Sequence, residues 1–197
     1  GGTEFSIPAD RIEAGTYLIA AAITGGDVTI SNVQAPRMNN ILDKLKLSGA
    51  SIAVGADNIQ LIMENDAILP VDISTAPFPG FPTDMQAQFT VLNALSEGSS
   101  VVTENVFENR FMHVQELNRM GCDITIKGSN AFIKGVDSLN GAPVMATDLR
   151  ASASLILAGL CANGETIVDR IYHIDRGYER IEEKLSYLGA DITRLPN

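Results

Sequence analysis

The hydrophobic and polar positions repeat the same order three times along the chain. Each round opens with an almost continuously apolar stretch of helical length, followed by a β-rich run, a shorter amphipathic helix and one or two short strands. An aspartate stands at each opening, a first glycine follows it by 14 to 16 residues, and a second glycine follows it by 37 to 41 residues. Such regular spacing indicates an internal threefold repeat. The landmarks are Asp10, Gly25 and Gly49, then Asp84, Gly98 and Gly121, then Asp148, Gly164 and Gly189.

The three repeats span about residues 8–66, 82–136 and 146–194, and we expect them to form one domain over residues 1–197. The opening helix of each repeat is apolar on almost every side, so a single repeat cannot bury it alone. The pattern therefore predicts a mixed α/β (α+β) fold with the three opening helices in the middle and the strands outside. Residues 67–82 and 134–146 are predicted to connect the repeats, and residues 191–193 to close the third repeat as a strand.

The opening of the second repeat, Phe81 to Phe89, delivers a carboxylate to the start of its helix. Thr83 and Gln86 have capping-box spacing, which predicts that Thr83 caps the helix and that Asp84 is its first residue. A carboxylate at that position points off the helix end into whatever cleft lies beyond it.

Composition narrows the class of protein. The chain has 197 residues and a formal net charge of −10, which argues against nonspecific binding to nucleic acid or to an anionic membrane. No apolar run approaches the roughly 18 residues of a membrane span, and no secretory leader is visible. Cys122 and Cys161 have no partner at disulfide or metal-ligand spacing, so we expect buried free thiols, which favours a cytoplasmic protein.

Equivalent positions of three packed repeats should meet at one end of the helix bundle. That end would bring Asp10, Asp84 and Asp148 together with five arginines, an arrangement suited to a phosphate or carboxylate ligand. The alternative is that the aspartates only cap their helices, where the helix dipole stabilises a carboxylate. His113 and His173 have no second ligand nearby in sequence and are predicted to be hydrogen-bonding residues. The five arginines are Arg11, Arg37, Arg110, Arg150 and Arg176.

Five long motifs resemble those of one enzyme family. They are Ala9–Thr16 (ADRIEAGT), Phe81–Phe89 (FPTDMQAQF), Glu104–His113 (ENVFENRFMH), Thr147–Ser152 (TDLRAS) and Asp169–Arg180 (DRIYHIDRGYER). In this order, and over essentially the whole chain, they closely resemble the UDP-N-acetylglucosamine 1-carboxyvinyltransferases, the enolpyruvyl transferases of peptidoglycan synthesis. The resemblance implies two similar domains, each an inside-out α/β barrel of three helix-strand-helix-strand-strand repeats.

The family reaction moves the enolpyruvyl group of phosphoenolpyruvate to the 3-hydroxyl of UDP-N-acetylglucosamine and releases phosphate, with no metal and no cofactor. By resemblance, Asp84 contacts the sugar hydroxyl as its general base, and Asp148 is an active-site acid. The resemblance also implies a part in the site for Arg110, Arg150 and Arg176 around phosphoenolpyruvate and phosphate, for Val106 and Phe107 beside the nucleotide-sugar, and for Asp10 in the cleft.

Part of the family pattern is missing from this chain. Nothing in it matches the mobile catalytic-cysteine loop of the family's other domain, and Cys122 and Cys161 fall where the family has no catalytic thiol. The short N-terminal segment that completes this domain in the family is missing as well. We therefore expect the C-terminal domain of such an enzyme, inactive alone, with the catalytic-cysteine domain as its partner. The alternatives are a noncatalytic nucleotide-sugar or anion-binding module, and the related shikimate-phosphate enolpyruvyl transferase, whose motifs fit less well.

Overall fold

The computed structural model describes residues 2–64 and 67–196, so the predicted end of the first repeat at residue 66 lies outside the described residues. Short 3-10 helices cover Ala35–Arg37, Thr83–Met85 and Ile171–His173. The helices are α1 (Arg11–Ile23), α2 (Asn39–Leu47), α3 (Gln86–Ala94), α4 (His113–Arg119), α5 (Leu149–Cys161) and α6 (Ile181–Tyr187). The strands are β1 (Asp27–Ser31), β2 (Ser51–Val54), β3 (Asn58–Ile62), β4 (Ile73–Ser74), β5 (Ser99–Thr103), β6 (Asp123–Lys127), β7 (Asn130–Lys134), β8 (Leu139–Asn140), β9 (Pro143–Met145), β10 (Ala162–Asn163) and β11 (Ile167–Asp169).

Helices α1, α3 and α5 pack against one another at the centre of the molecule. Leu18, Phe89 and Leu155, one from each helix, have no solvent exposure and belong to a single apolar core. Burying a side chain of this size contributes roughly 1.5–3 kcal/mol to stability. The prediction that the opening helix of each repeat lies inside is therefore confirmed.

The strands lie outside these helices. The first sheet has the antiparallel order β1-β3-β2 and packs on α1. The second repeats this order as β5-β7-β6 and packs on α3. Among the described residues the sheets stay separate, so the mixed α/β fold has the predicted helices inside and sheets outside without one closed sheet.

The sequence predicts that residues 67–82 and 134–146 only connect the repeats, but both segments also contain strands. The first contains β4, which pairs in parallel with β5, and the second contains β8 and β9, which pair in parallel with β10 and β11. The strand predicted at 191–193 is wrong, because that segment has no neighbouring strand to pair with in the part of the chain that the structure describes. Arg194 instead holds this tail through ion pairs to Asp175 at 2.6 Å and to Glu182 at 2.7 Å.

Glycine allows the 3-10 helix Thr83–Met85 to lie directly against α1. A Cβ atom at Gly15 would stand 2.9 Å from Met85 Cε, closer than carbon atoms approach without displacing one another. Met85 is fully buried there. The end of the Met85 side chain thus occupies the space that Gly15 leaves on α1, and Asp84 is the residue before Met85.

Candidate functional site at the end of the central helices

The three equivalent aspartates have different roles. Asp10 caps α1 by accepting hydrogen bonds from the backbone N–H groups of Ile12 at 2.8 Å and Glu13 at 3.2 Å. Asp148 caps α5 through the backbone N–H of Ala151 at 2.8 Å. Asp84 lies within the 3-10 helix and accepts no hydrogen bond from a described backbone N–H group, so the capping explanation applies to two of the three.

The capping box predicted at Thr83 is wrong, because its hydroxyl is used elsewhere. Thr83 Oγ1 donates to Glu104 Oε2 at 2.7 Å and accepts from Arg110 Nη1 at 2.7 Å. Helix α3 begins only at Gln86, without a side-chain cap. A long-range hydrogen bond to a carboxylate has therefore replaced the local cap that the spacing suggested.

Asp84 is paired with Arg110. Arg110 Nη2 donates to Asp84 Oδ1 at 2.7 Å, and the ring of Phe107 lies 4.9 Å from the Arg110 guanidinium carbon. The Asp84 side chain is 42% exposed, and its Oδ2 accepts no hydrogen bond from any described residue. Half-buried Val106 and exposed Phe107 are in the same loop. The pair thus presents one free carboxylate oxygen to solvent beside a fixed cation.

Asp10 and Arg150 form a second pair. Arg150 Nη2 donates to Asp10 Oδ2 at 2.8 Å, and the guanidinium lies over the Tyr178 ring at 5.1 Å. Burial alone would raise the pKa of the Asp10 carboxyl, but the hydrogen bonds from Arg150 and the backbone outweigh burial and hold the pKa below its ordinary value. Arg150 Nη1 is buried and has no hydrogen-bond partner among the described residues.

Behind this pair lies a small polar cluster that the sequence patterns did not reveal. Thr16 Oγ1 and Tyr178 Oη are 3.0 Å apart, and Gln88 Nε2 donates towards both at 3.2 and 3.3 Å. All three residues are almost fully buried, on α1, on α3 and after the third 3-10 helix. The sequence did hold a signal for this cluster, because Thr16 and Gln88 are polar residues within apolar helices. Buried polar groups require hydrogen-bond partners, so these two residues could have been expected to find one another.

His113 is fully buried beside the site, and its predicted hydrogen-bonding role is wrong. Neither ring nitrogen has a hydrogen-bond partner in the described part of the chain. Burial lowers the pKa of His113 to about 4; the charge of Asp148 opposes this shift, and that of Arg110 adds to it. His113 is therefore a neutral imidazole between an acid and an arginine of the candidate site.

Replacing His113 by leucine is expected to make stability less dependent on pH. The unfolded chain protonates His113 below its ordinary pKa of 6.5 and the folded chain only near 4, so the free energy of unfolding falls as the pH decreases from about 6.5 towards 4. Between about pH 7.5 and pH 5 this single group should remove on the order of 2 kcal/mol. Urea unfolding of both proteins at the two pH values measures this, and a pH-independent difference between them would refute it.

The remaining predicted arginines are not joined to Asp84 by any contact among the described residues. Arg11 lies 5.4 Å from the Phe78 ring and lines a small cavity together with Arg37. Arg176 is exposed and has no ion pair within residues 2–64 and 67–196. The structure thus brings Arg110 and Arg150 to carboxylates, while the gathering of all five arginines at one point is not observed.

The cysteines are poor nucleophiles. Burial raises the pKa of the Cys122 thiol to about 12 and that of Cys161 to about 11, so both stay protonated near neutral pH. Both are free; Cys122 is buried as predicted, and Cys161 is only half-buried. Within the described residues, no group of three or more His, Cys, Asp or Glu side chains could hold a metal ion. No described helix has the length and apolar character needed to cross a membrane.

Glu104 is the main site residue that the sequence patterns missed. It is buried, with 4% exposure, immediately after β5. The inward-facing positions of that strand are Ser100 and Val102, and the alternation continues to Glu104. Extending the period of two by one step would have placed this carboxylate inside.

Relatives of the chain are enolpyruvyl transferases. The profile of the family described as EPSP synthase (3-phosphoshikimate 1-carboxyvinyltransferase) matches residues 1–185. The UDP-N-acetylglucosamine 1-carboxyvinyltransferase of Halorhodospira halophila is 60% identical over 196 residues, covering 100% of this chain and 47% of the relative. That of Pseudoalteromonas atlantica is 58% identical over 194 residues, covering 98% and 46%. The chain therefore spans about half the length of the curated relatives it matches.

Solved structures show the same architecture. The enolpyruvyl transferase NikO from Streptomyces tendae superposes with a TM-score of 0.88 at 29% identity, covering 96% of this chain and 45% of that one. EPSP synthase from Acinetobacter baumannii superposes with a TM-score of 0.75 at 21% identity, covering 96% and 48%. At the lower identity the likeness shows the fold alone.

Proposed function

The chain belongs to the EPSP synthase family of enolpyruvyl transferases, and on that basis we propose that it forms half of an enzyme acting on phosphoenolpyruvate and UDP-N-acetylglucosamine. The observation that carries the choice of UDP-N-acetylglucosamine as acceptor is the 60% identity, over the whole chain, to the UDP-N-acetylglucosamine 1-carboxyvinyltransferase of Halorhodospira halophila. The identity to the EPSP synthase of known structure from Acinetobacter baumannii is 21%. Shikimate phosphate is therefore the less favoured acceptor.

In the proposed reaction Asp84 is the general base for the 3-hydroxyl of the sugar. The hydroxyl oxygen attacks C2 of phosphoenolpyruvate while C3 gains a proton, and phosphate then leaves as C3 loses a proton. Asp84 suits the first step because its Oδ2 is free and exposed while Oδ1 is fixed by Arg110.

The arginines supply fixed positive charge to substrates that carry several negative charges. Arg110 and Arg150 are proposed to face the carboxylate and phosphate of phosphoenolpyruvate, joined by Arg176 when substrate binds. Asp148 is proposed as an active-site acid, because one of its oxygens caps α5 and the other accepts no hydrogen bond from a described residue.

The nucleotide-sugar is proposed to lie along the loop of Val106 and Phe107. Phe107 is 56% exposed and offers an aromatic face next to Arg110. Asp10 would border the same cleft, where its charge is already balanced by Arg150. These three residues would then serve binding more than the chemical step.

The other half of the site is proposed to come from a catalytic-cysteine domain outside this chain. The length of the relatives, about twice that of the chain, supports this. The proposed setting is the cytoplasm, in peptidoglycan synthesis, and hence in cell wall biogenesis, cell shape and cell division. The chain alone, without the second domain, is proposed to be inactive.

Phosphate release tests this proposal in the full-length protein that contains the chain. With phosphoenolpyruvate and UDP-N-acetylglucosamine we expect steady release, at least about 10³-fold faster than with shikimate 3-phosphate, because a site built for one set of hydroxyl groups rejects another. The 197-residue chain alone should release none.

Three outcomes would contradict the proposal. Preference for shikimate 3-phosphate would change the acceptor. Tight binding of the UDP-sugar by the full-length protein without any turnover would favour a noncatalytic binding module. Release of phosphate by the chain alone would overturn the need for a second domain.

A further inference from the structure

Glu104 is a buried carboxylate held by four neutral donors. Its Oε1 accepts from Thr75 Oγ1 at 2.9 Å and from the backbone N–H groups of Val106 and Phe107 at 2.8 and 3.1 Å. Its Oε2 accepts from Thr83 Oγ1 at 2.7 Å. No described lysine or arginine forms an ion pair with it. Burying such a charge is costly unless hydrogen bonds offset the lost hydration, as these four do.

The chemistry of a carboxylate fixes the direction of the hydrogen bond to Thr83. An ionised carboxylate only accepts, so the Thr83 hydroxyl must give its single proton to Glu104. Its lone pairs are then left to accept from Arg110 Nη1 at 2.7 Å. With Nη2 on Asp84 at 2.7 Å, both terminal nitrogens of Arg110 are held in one orientation.

The two oxygens of Glu104 therefore contact different parts of the protein: Oε1 contacts the loop, and Oε2 contacts the candidate site. Oε1 alone fastens the loop that carries Val106 and Phe107. Among the described residues, Oε2 has Thr83 as its one partner, and the other partner of the Thr83 hydroxyl is Arg110. If the carboxylate served only the loop, its second oxygen would not need to face the site.

We propose that Glu104 and Thr83 are positioning residues that set the orientation of Arg110 and, through it, of Asp84. The inference rests on the proposed function, because Asp84 and Arg110 are assigned there to the enolpyruvyl transfer. Glu104 keeps the Thr83 proton turned away from Arg110. The Thr83 hydroxyl therefore only accepts a hydrogen bond from Arg110 Nη1, and Arg110 Nη2 donates a hydrogen bond to Asp84.

Substitution of Thr83 in the full-length enzyme tests this series of hydrogen bonds from Glu104 to Asp84. Thr83→Val keeps the shape but removes the hydroxyl, so kcat should fall about 10- to 100-fold, the value of one hydrogen bond to a charged group. KM for the UDP-sugar should change by less than about threefold, because the binding loop is held by Oε1. Thr83→Ser restores the hydroxyl and should recover kcat to within about threefold of the wild type.

Thr75→Val is the matched control. Thr75 donates to the same carboxylate, but its other hydrogen-bond partner is the backbone of Asn105, not Arg110. Its loss should lower the melting temperature at least as much as Thr83→Val, with kcat reduced by no more than about threefold. Equal losses of kcat in the two valine variants, or failure of Thr83→Ser to recover activity, would overturn the positioning role.

A measurement on the 197-residue chain separates this inference from the proposed function. Nuclear magnetic resonance reports rotation of the Arg110 guanidinium about its Nε–Cζ bond, and Thr83→Val should speed that rotation on the order of tenfold, with Thr75→Val leaving it near the wild-type rate. Unchanged rotation in Thr83→Val would refute the inference whatever the kinetics. Absence of turnover in the wild-type enzyme would refute the proposed function instead, and the rotation rate alone would then decide the orienting role.

Discussion

Asp84→Asn in the full-length enzyme is expected to lower kcat by about 10²- to 10⁴-fold, the usual contribution of a positioned general base. Asparagine keeps the size of the side chain and can still accept a hydrogen bond from Arg110, so the fold and the Asp84–Arg110 contact should survive. It cannot take a proton from the sugar hydroxyl. KM for UDP-N-acetylglucosamine should therefore change far less than kcat, as steady-state phosphate release would show.

Asp43→Asn provides a control for Asp84→Asn. Asp43 is an exposed carboxylate on α2 whose ion pair with Lys46 is 3.9 Å long, so its replacement should leave kcat unchanged. If Asp84→Asn behaved like Asp43→Asn, Asp84 would be no more than a structural partner of Arg110.

Arg110→Lys should also lower kcat strongly, although it conserves the charge. One terminal nitrogen of Arg110 binds Thr83 and the other binds Asp84, each at 2.7 Å. A lysine ammonium is a single point and cannot reproduce the planar fork that reaches both. With one charge-assisted hydrogen bond lost, kcat should fall about 10- to 100-fold.

A double-mutant cycle with Asp84→Asn checks the assignment. Because the two side chains are in direct contact, their effects on kcat should be strongly non-additive. Arg119→Lys is the matched control, since Arg119 is an exposed helix residue whose one ion pair within the described part of the chain is with Glu116 at 3.6 Å. Additive effects of Asp84→Asn and Arg110→Lys would contradict their action as a unit.

Local sequence patterns predicted most of the helices and strands, because helices and strands depend largely on residues that are neighbours in the sequence. The helix and strand periods located the central helices and most strands. Four predicted glycine stops lie two residues after a helix end, whereas α3 and α5 end earlier, before Gly98 and Gly164; the four are Gly25, Gly49, Gly121 and Gly189. Gly25 and Gly121, at φ of 66° and 98°, adopt backbone angles that glycine accepts without strain. The segment at 191–193 has the composition of a strand, but a strand also needs a neighbouring strand to pair with. The hydrophobic periodicity of a sequence does not show whether such a neighbour exists.

The candidate site was only partly predictable, because its hydrogen bonds join residues far apart in sequence. Thr83 has the spacing of a helix cap, yet Glu104, 21 residues later, takes its hydroxyl proton. His113 lies at a helix start that favours polar residues, yet the packing buries it without hydrogen bonds among the described residues. Asp84 and Asp148 have the same place in the repeat, yet Asp148 caps α5, while Asp84 lies inside a 3-10 helix and pairs with Arg110.

Of the three equivalent aspartates, Asp84 is the one proposed to act on the acceptor hydroxyl. A crystal structure of the full-length protein with UDP-N-acetylglucosamine bound measures this directly, as the distance from each carboxylate to the 3-hydroxyl of the sugar. We expect an Asp84 oxygen within about 2.6–3.2 Å of that hydroxyl, with Asp10 and Asp148 still capping α1 and α5. A 3-hydroxyl bound to Asp10 or Asp148, with Asp84 out of hydrogen-bond reach, would rule out Asp84 as the general base.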